Sequence, residues 1–310
     1  MSLLNVPAFY HLKRPVAGRR QVEVWSGYPL QFGGQRRFPW WQDSMATDLQ
    51  SALAELTIAP DEVLAGTYMS TDKSRCDTEN RLFTNPGTAI FPKVTYVRFE
   101  RVPGPPPQPP EPVSRVEDHD HLHYYRYRPG GSWEWWQLEA VLANWQHVPA
   151  RRLSEGNARP AWLALKRAAA AGRINTFTSA ALDNEAPFGI RIIVHTTRQG
   201  PRQALAISET LIDGTVAAFH AGASNAAHVA TVLAPRIPKA LKTSRAELEE
   251  LAAVSLPGPF FNTSPFSGPN AAISPSDDRC YAGEVEIRYD PHGSGTEVSG
   301  ELFTLRPPTE

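Results

Sequence analysis

Two neighbouring carboxylates, Asp277 and Asp278, stand directly ahead of an alternating run, Arg279 to Tyr289, that reads as a strand. Paired carboxylates are hard oxygen ligands of the kind Mg²⁺ and Mn²⁺ take. An ion held there would activate water and neutralise charge on a phosphate. Asp213 lies upstream in Ile212-Asp213-Gly214, on a stretch with helical apolar spacing. A second acidic set, Asp77 and Glu79, is followed by Asn80. On an extended segment, residues two apart point to the same side, so this pair would suit the same ions. The other reading of that stretch is a polar turn closed by Asn85-Pro86-Gly87, with Asp77 as a cap.

His119, His121 and His123 alternate along 117–128. On one strand face they could grip Zn²⁺; a solvated, charged edge strand is the alternative. Arg36 and Arg37 precede Trp40 and Trp41, a basic and aromatic pairing that could stack on nucleic-acid bases. The competing reading is an aromatic lid over a core.

These residues need elements to hold them. Apolar spacing predicts helices over 45–56 behind an Asp43-Ser44 cap, over 159–171 with Pro160 in the first turn and Gly172 as the stop, over 204–221, and over 226–234. Ser244 and Glu247 have capping-box spacing and open another helix. Leu138, Val141, Leu142 and Trp145 also recur at helix-like spacing. Alternation predicts strands over 21–25, 61–70, 94–102 and 117–128, a buried central strand over 188–196, and a hairpin of 279–289 with 297–305. The sum is an α+β protein with a mixed, mostly antiparallel sheet and helices packed on it. The run 103–112 is dominated by proline and must be exposed polyproline II. It divides the chain into 1–102, a linker or long loop at 103–118, and 119–310, unless all of it is one domain.

The chain has 310 residues, with 31 basic against 32 acidic ones and a net charge of −1. That balance argues against a uniformly basic nucleic-acid binder, although a local basic face can hide in it. Its two cysteines suit a reduced, cytoplasmic protein better than a disulfide scaffold. The first residues lack the pattern of a signal peptide, and no run of apolar residues is long enough to span a membrane. There is no P-loop, G-x-G-x-x-G or G-x-S-x-G, and so no sign of a nucleotide cofactor.

The last third of the chain, in the order strand, helix with Ile212-Asp213-Gly214, acidic pair, strand and strand, resembles the RusA-type Holliday junction resolvases. The resemblance implies a metal-dependent endonuclease acting on branched nucleic acid. It assigns Asp277 and Asp278 to the acidic pair of that family and Asp213 to its helix aspartate. The chain departs from the family where Gln203-Ala204-Leu205-Ala206 replaces Asp-x-Asp-Asn and where Glu209 replaces a lysine. Three functions follow. The first is a non-catalytic binding or assembly protein of a bacterial-type cytosolic system, on a degenerate nuclease-like fold, with a protein partner or a second copy meeting its Trp- and Pro-rich surfaces. The second is a Mg²⁺- or Mn²⁺-dependent endonuclease or phosphodiesterase acting on branched or single-stranded nucleic acid. The third is a His-metal enzyme.

Overall fold

The computed structural model describes all residues except 1–7, 33–39, 60, 73–75, 117–118, 155, 178–181, 183–185, 199–202, 257–259 and 309–310. The chain divides into two compact units, Met1–Trp135 and Trp136–Glu310. The proline-rich run lies inside the first unit; the change of unit falls at the tryptophan cluster instead.

The first unit contains β1 (Tyr10–Lys13), β2 (Val22–Ser26), α1 (Trp41–Ala54), β3 (Leu64–Ser70), β4 (Tyr96–Val102) and β5 (His123–Pro129). Its strands lie in the order β1-β2-β5-β3-β4; β3 and β4 run parallel and the other pairs antiparallel. The proline-rich run connects β4 to β5, which flank β3 and do not pair with each other. It is held down by Trp25, whose indole N–H donates to the Pro107 carbonyl at 2.8 Å.

The second unit contains β6 (Gln137–Pro149), α2 (Arg159–Ala170), β7 (Ile174–Thr176), β8 (Phe188–Thr196), α3 (Leu205–Ala218), α4 (Ala226–Leu233), α5 (Arg245–Ala253), the short strands β9 (Phe266–Ser267) and β10 (Ala272–Ile273), β11 (Cys280–Tyr289) and β12 (Glu297–Arg306). Its main sheet has the order β11-β8-β12-β6-β7, with β8 and β11 parallel and the rest antiparallel. The α+β expectation holds, as does the mixed, mostly antiparallel sheet. No helix among the described residues is long and apolar enough to cross a membrane.

The two units share one connectivity. A strand leads through a helix to a central strand, then through helical segments to its parallel neighbour, then over to an antiparallel strand on the central strand's other side. In the first unit these are β2, α1, β3, β4 and β5; in the second, β6, α2, β8, β11 and β12.

Several local expectations change. The predicted hairpin of 279–289 with 297–305 does not form, because β8 lies between β11 and β12 and pairs with both. Residues 290–296 therefore cross the end of β8, where a Cβ on Gly293 would lie 3.4 Å from the Thr197 side chain. Residues 138–145 are strand, not helix. Register shifts against β12 re-phase β6, so that Leu142, Trp145 and Val148, three apart, are all buried. α1 starts at Trp41 rather than 45, because Trp41 is buried in a stack on Phe9, 5.4 Å between ring centroids. The caps of α2 and α5 behave as expected: Gly172 takes φ +67°, and the Ser244 side chain accepts from the Glu247 N–H at 3.1 Å.

The core of the second unit forms where β8 meets the helices. Phe188, Ile190, Ile192 and Val194 alternate inward and are fully buried, while Arg191 and His195 on the other face stay partly exposed. Trp145 packs on Phe219, and Phe188 on Phe261. Gly214 lets α3 approach the start of α2: a Cβ there would fall 2.3 Å from the Ala158 carbonyl oxygen.

Candidate functional site

Four strand termini of the second unit meet at one end of its sheet. β8 and β11 are parallel and both finish there, β12 begins there, and β6 arrives antiparallel to it. In open α/β sheets the space beyond the carboxyl ends of parallel strands is where ligands bind, because the connecting loops diverge there. Here it holds a cleft of about 890 Å³, built from 151–154 after β6, Thr197 and Arg198 after β8, 238–240 between α4 and α5, and 294–296 from the crossing loop.

Four cations line the cleft: Arg151, Arg152, Arg198 and Lys239. All four side chains are exposed. Among the described residues no carboxylate lines the cleft; the polar remainder is Ser154, Thr197, Ser294 and Thr296. A smaller cleft of about 300 Å³ shares Arg151 and Ala240 with the first and adds Arg167, Arg173 and Lys242. Arg167 is paired, bound to Glu247 at 2.7 Å, and the arginine holds that carboxyl below its ordinary range. In a chain whose charges nearly cancel overall, the two adjoining clefts thus bring seven cations together. Backbone strain gathers at the same place. Arg152 (φ +63°) and Lys242 (φ +46°) line the two clefts, and His147 (φ +48°) shortly precedes the first. Non-glycine residues rarely adopt this left-handed backbone, and such strain concentrates at functional sites.

The Asp277–Arg279 turn is at the other end. It precedes Cys280, which pairs with Phe188 at the start of β8, whereas Thr196 at the far end pairs with Tyr289. The strand length puts roughly 25–30 Å between the acidic turn and the cleft. The turn packs against α3, which carries Asp213. None of Asp213, Asp277 and Asp278 is without a partner, and Asp277 is buried. His220 fixes the approach to the turn. Its Nε2 accepts the Ser276 N–H at 3.0 Å, so its Nδ1–H donates to the Thr263 carbonyl at 2.8 Å. Burial lowers its pKa to about 4, which keeps the ring neutral. Arg279 lies over the Phe261 ring, 5.0 Å from its centroid.

The other residues singled out from sequence are dispersed within the first unit. Asp77 and Glu79 are not on an extended segment. Asp77 precedes a helical turn, its carbonyl accepting from the Arg81 N–H at 3.0 Å and its carboxylate from Asn80 at 2.9 Å. Glu79 is within that turn, buried, and accepts from the Thr84 hydroxyl. Residues two apart on a helix point to different sides, so the geometric premise for a shared ion is lost. Glu100 on β4 accepts instead from the backbone N–H groups of Glu134 and Trp135, both at 3.1 Å, and burial raises its pKa.

The three histidines do not share a strand face, because β5 begins only at His123. The chain turns just before it, where the His119 N–H donates to the Val116 carbonyl. His119 packs edge-on against Tyr28, His121 meets the Thr71 hydroxyl at 3.1 Å, and buried His123 meets the Tyr68 hydroxyl at 2.9 Å with its pKa pushed down to about 3 by burial. Among the described residues no three His, Cys, Asp or Glu side chains gather closely enough to hold a metal ion. Trp41 is core, which removes it as a base-stacking group, while Trp40 is 71% exposed. Arg36 and Arg37 lie outside the described residues.

Sequence reasoning missed the basic cleft. Its cations fall in three separate segments, and no motif joins them. The one available signal was the adjacent pair Arg151-Arg152. Comparison with known proteins returns no matching family model, no matching curated protein and no matching solved structure.

Proposed function

We propose that the second unit binds a nucleic-acid strand by its phosphodiester backbone, in the track formed by the two basic clefts. The observation that carries this reading is the gathering of Arg151, Arg152, Arg198 and Lys239 around an 890 Å³ cleft with no carboxylate among its described lining residues, in a chain whose net charge is −1. Arginine forks and lysine ammonium groups are the usual partners of phosphate, and hydroxyls of the kind lining this cleft commonly bind phosphate oxygens. The second cleft extends the positive surface beyond one phosphate group, which favours a polymer over a small anion. Among the described residues no aromatic side chain lines either cleft, so recognition rests on phosphates and is tolerant of sequence. The resemblance to RusA-type resolvases points to the same ligand class. This reading keeps binding as the activity, because the acidic turn is far from the cations that would hold the phosphate.

Fluorescence anisotropy with a labelled single-stranded oligonucleotide tests this reading. Neutralising four phosphates predicts a slope of log K against log salt of about −3. Replacing Arg151, Arg152 and Arg198 together by alanine should weaken binding at least about tenfold and flatten that slope. A triple variant that binds as well as the wild type, with the same salt slope, would overturn the assignment.

A further inference from the structure

A pair of histidines and one carboxylate adjoin the cleft without lining it. His147, near the end of β6, has its Nδ1 2.9 Å from the Glu297 carboxylate. The other oxygen of Glu297 accepts at 2.7 Å from the hydroxyl of Ser294, which lines the cleft. The His147 ring lies 4.9 Å from that of His195 on β8, the strand that continues into the cleft residues Thr197 and Arg198. Ser299 ties the two histidines, its hydroxyl accepting from the His147 N–H at 3.0 Å and meeting His195 Nε2 at 3.3 Å. His147 is held in left-handed backbone to make these contacts. One carboxylate, Glu297, thus links an exposed imidazole to the wall of an anion site.

Resting on the reading of the cleft as a phosphodiester site, we propose that the His147–Glu297 pair makes that site pH-sensitive, so that it grips its strand more tightly as the imidazole gains a proton. Above the imidazole range Glu297 leaves a negative charge beside the cleft, opposing a polyanion. Its own pKa is lowered first by the Ser294 hydroxyl and then by His147, so it stays ionised. Protonation of His147 cancels that charge. The other charged groups near the pair are His195, Arg288 and Asp290. Burial, and the proximity of His147 and Arg288, lower the pKa of His195, while Glu297 and Asp290 act in the opposite sense. Arg151 and Arg152 are positive throughout.

The probe is a dye-labelled oligothymidine without terminal phosphates, whose phosphodiesters do not titrate in the range used. For the full chain, Kd should fall about five- to tenfold between about pH 8 and about pH 5.5, the effect of adding roughly one cation near the site. His147→Asn keeps a residue tolerant of left-handed backbone and should reduce that change to less than about twofold. Glu297→Gln should bind about threefold more tightly than wild type at about pH 8. Wild-type pH dependence in a folded His147→Asn protein would overturn the inference while leaving the binding site standing. Failure of the wild type to bind at any pH would remove the binding reading and the inference with it.

Discussion

At the scale of single residues, the neutral histidines decide what pH does to the fold. His220 is buried with both ring nitrogens committed, and its pKa falls from 6.5 to about 4, chiefly because burial disfavours the charged ring. Between those two values the unfolded chain takes up the proton and the folded chain does not. The stability this ring contributes is present above about pH 6.5 and is lost as pH falls toward about 4. Denaturant titrations across that window should show a loss on the order of 2 kcal/mol attributable to His220, and His220→Gln should flatten the curve. An unchanged pH profile in that variant would remove His220 as a source. Asp278 gives a residue-scale test of a different kind. Because the acidic turn and the cleft are at opposite ends of the sheet, Asp278→Asn should leave oligonucleotide affinity within about twofold, and a larger loss would show that the ligand reaches the acidic end. The acidic pair was legible in the sequence because its members are adjacent. The histidines were legible as types but not as a set: period-two spacing carries geometric meaning only on a strand, and β5 starts at the third of them.

At the scale of elements, local chemistry was a reliable guide where it stood alone. Ser244 with Glu247, Gly172, and the β-branched run 188–196 each formed what their residue types require. Ser244→Ala should cost about 1 kcal/mol, measured by urea denaturation, because the Glu247 N–H loses its acceptor. Gly214, next to Asp213 on α3, acts through packing. A Cβ at that position meets backbone, not a movable side chain, so Gly214→Val should destabilise by about 2–4 kcal/mol; a loss below about 0.5 kcal/mol would mean that α2 and α3 can separate freely. Elements misread from sequence failed for a shared reason: the deciding interaction came from a distant strand. β6 follows the bulged register of β12, and β12 pairs with β8 rather than with the strand that precedes it. Neither fact has a signature near the residues concerned.

At the scale of the whole molecule, net charge concealed the feature on which the proposed function rests. A total of −1 arises while one unit collects Arg151, Arg152, Arg198 and Lys239 around one cleft. The fold class was legible because helical and alternating segments are interspersed along the chain. The shared connectivity of the two units was not, since it is a repetition of topology and not of residue types. The most direct measurement is amide hydrogen exchange of the full chain with and without a single-stranded oligonucleotide. Binding in the basic track predicts protection at 151–154, 197–198, 238–242 and 294–296, with little change at 276–280. Protection centred on 276–280, or confined to the first unit, would contradict the account.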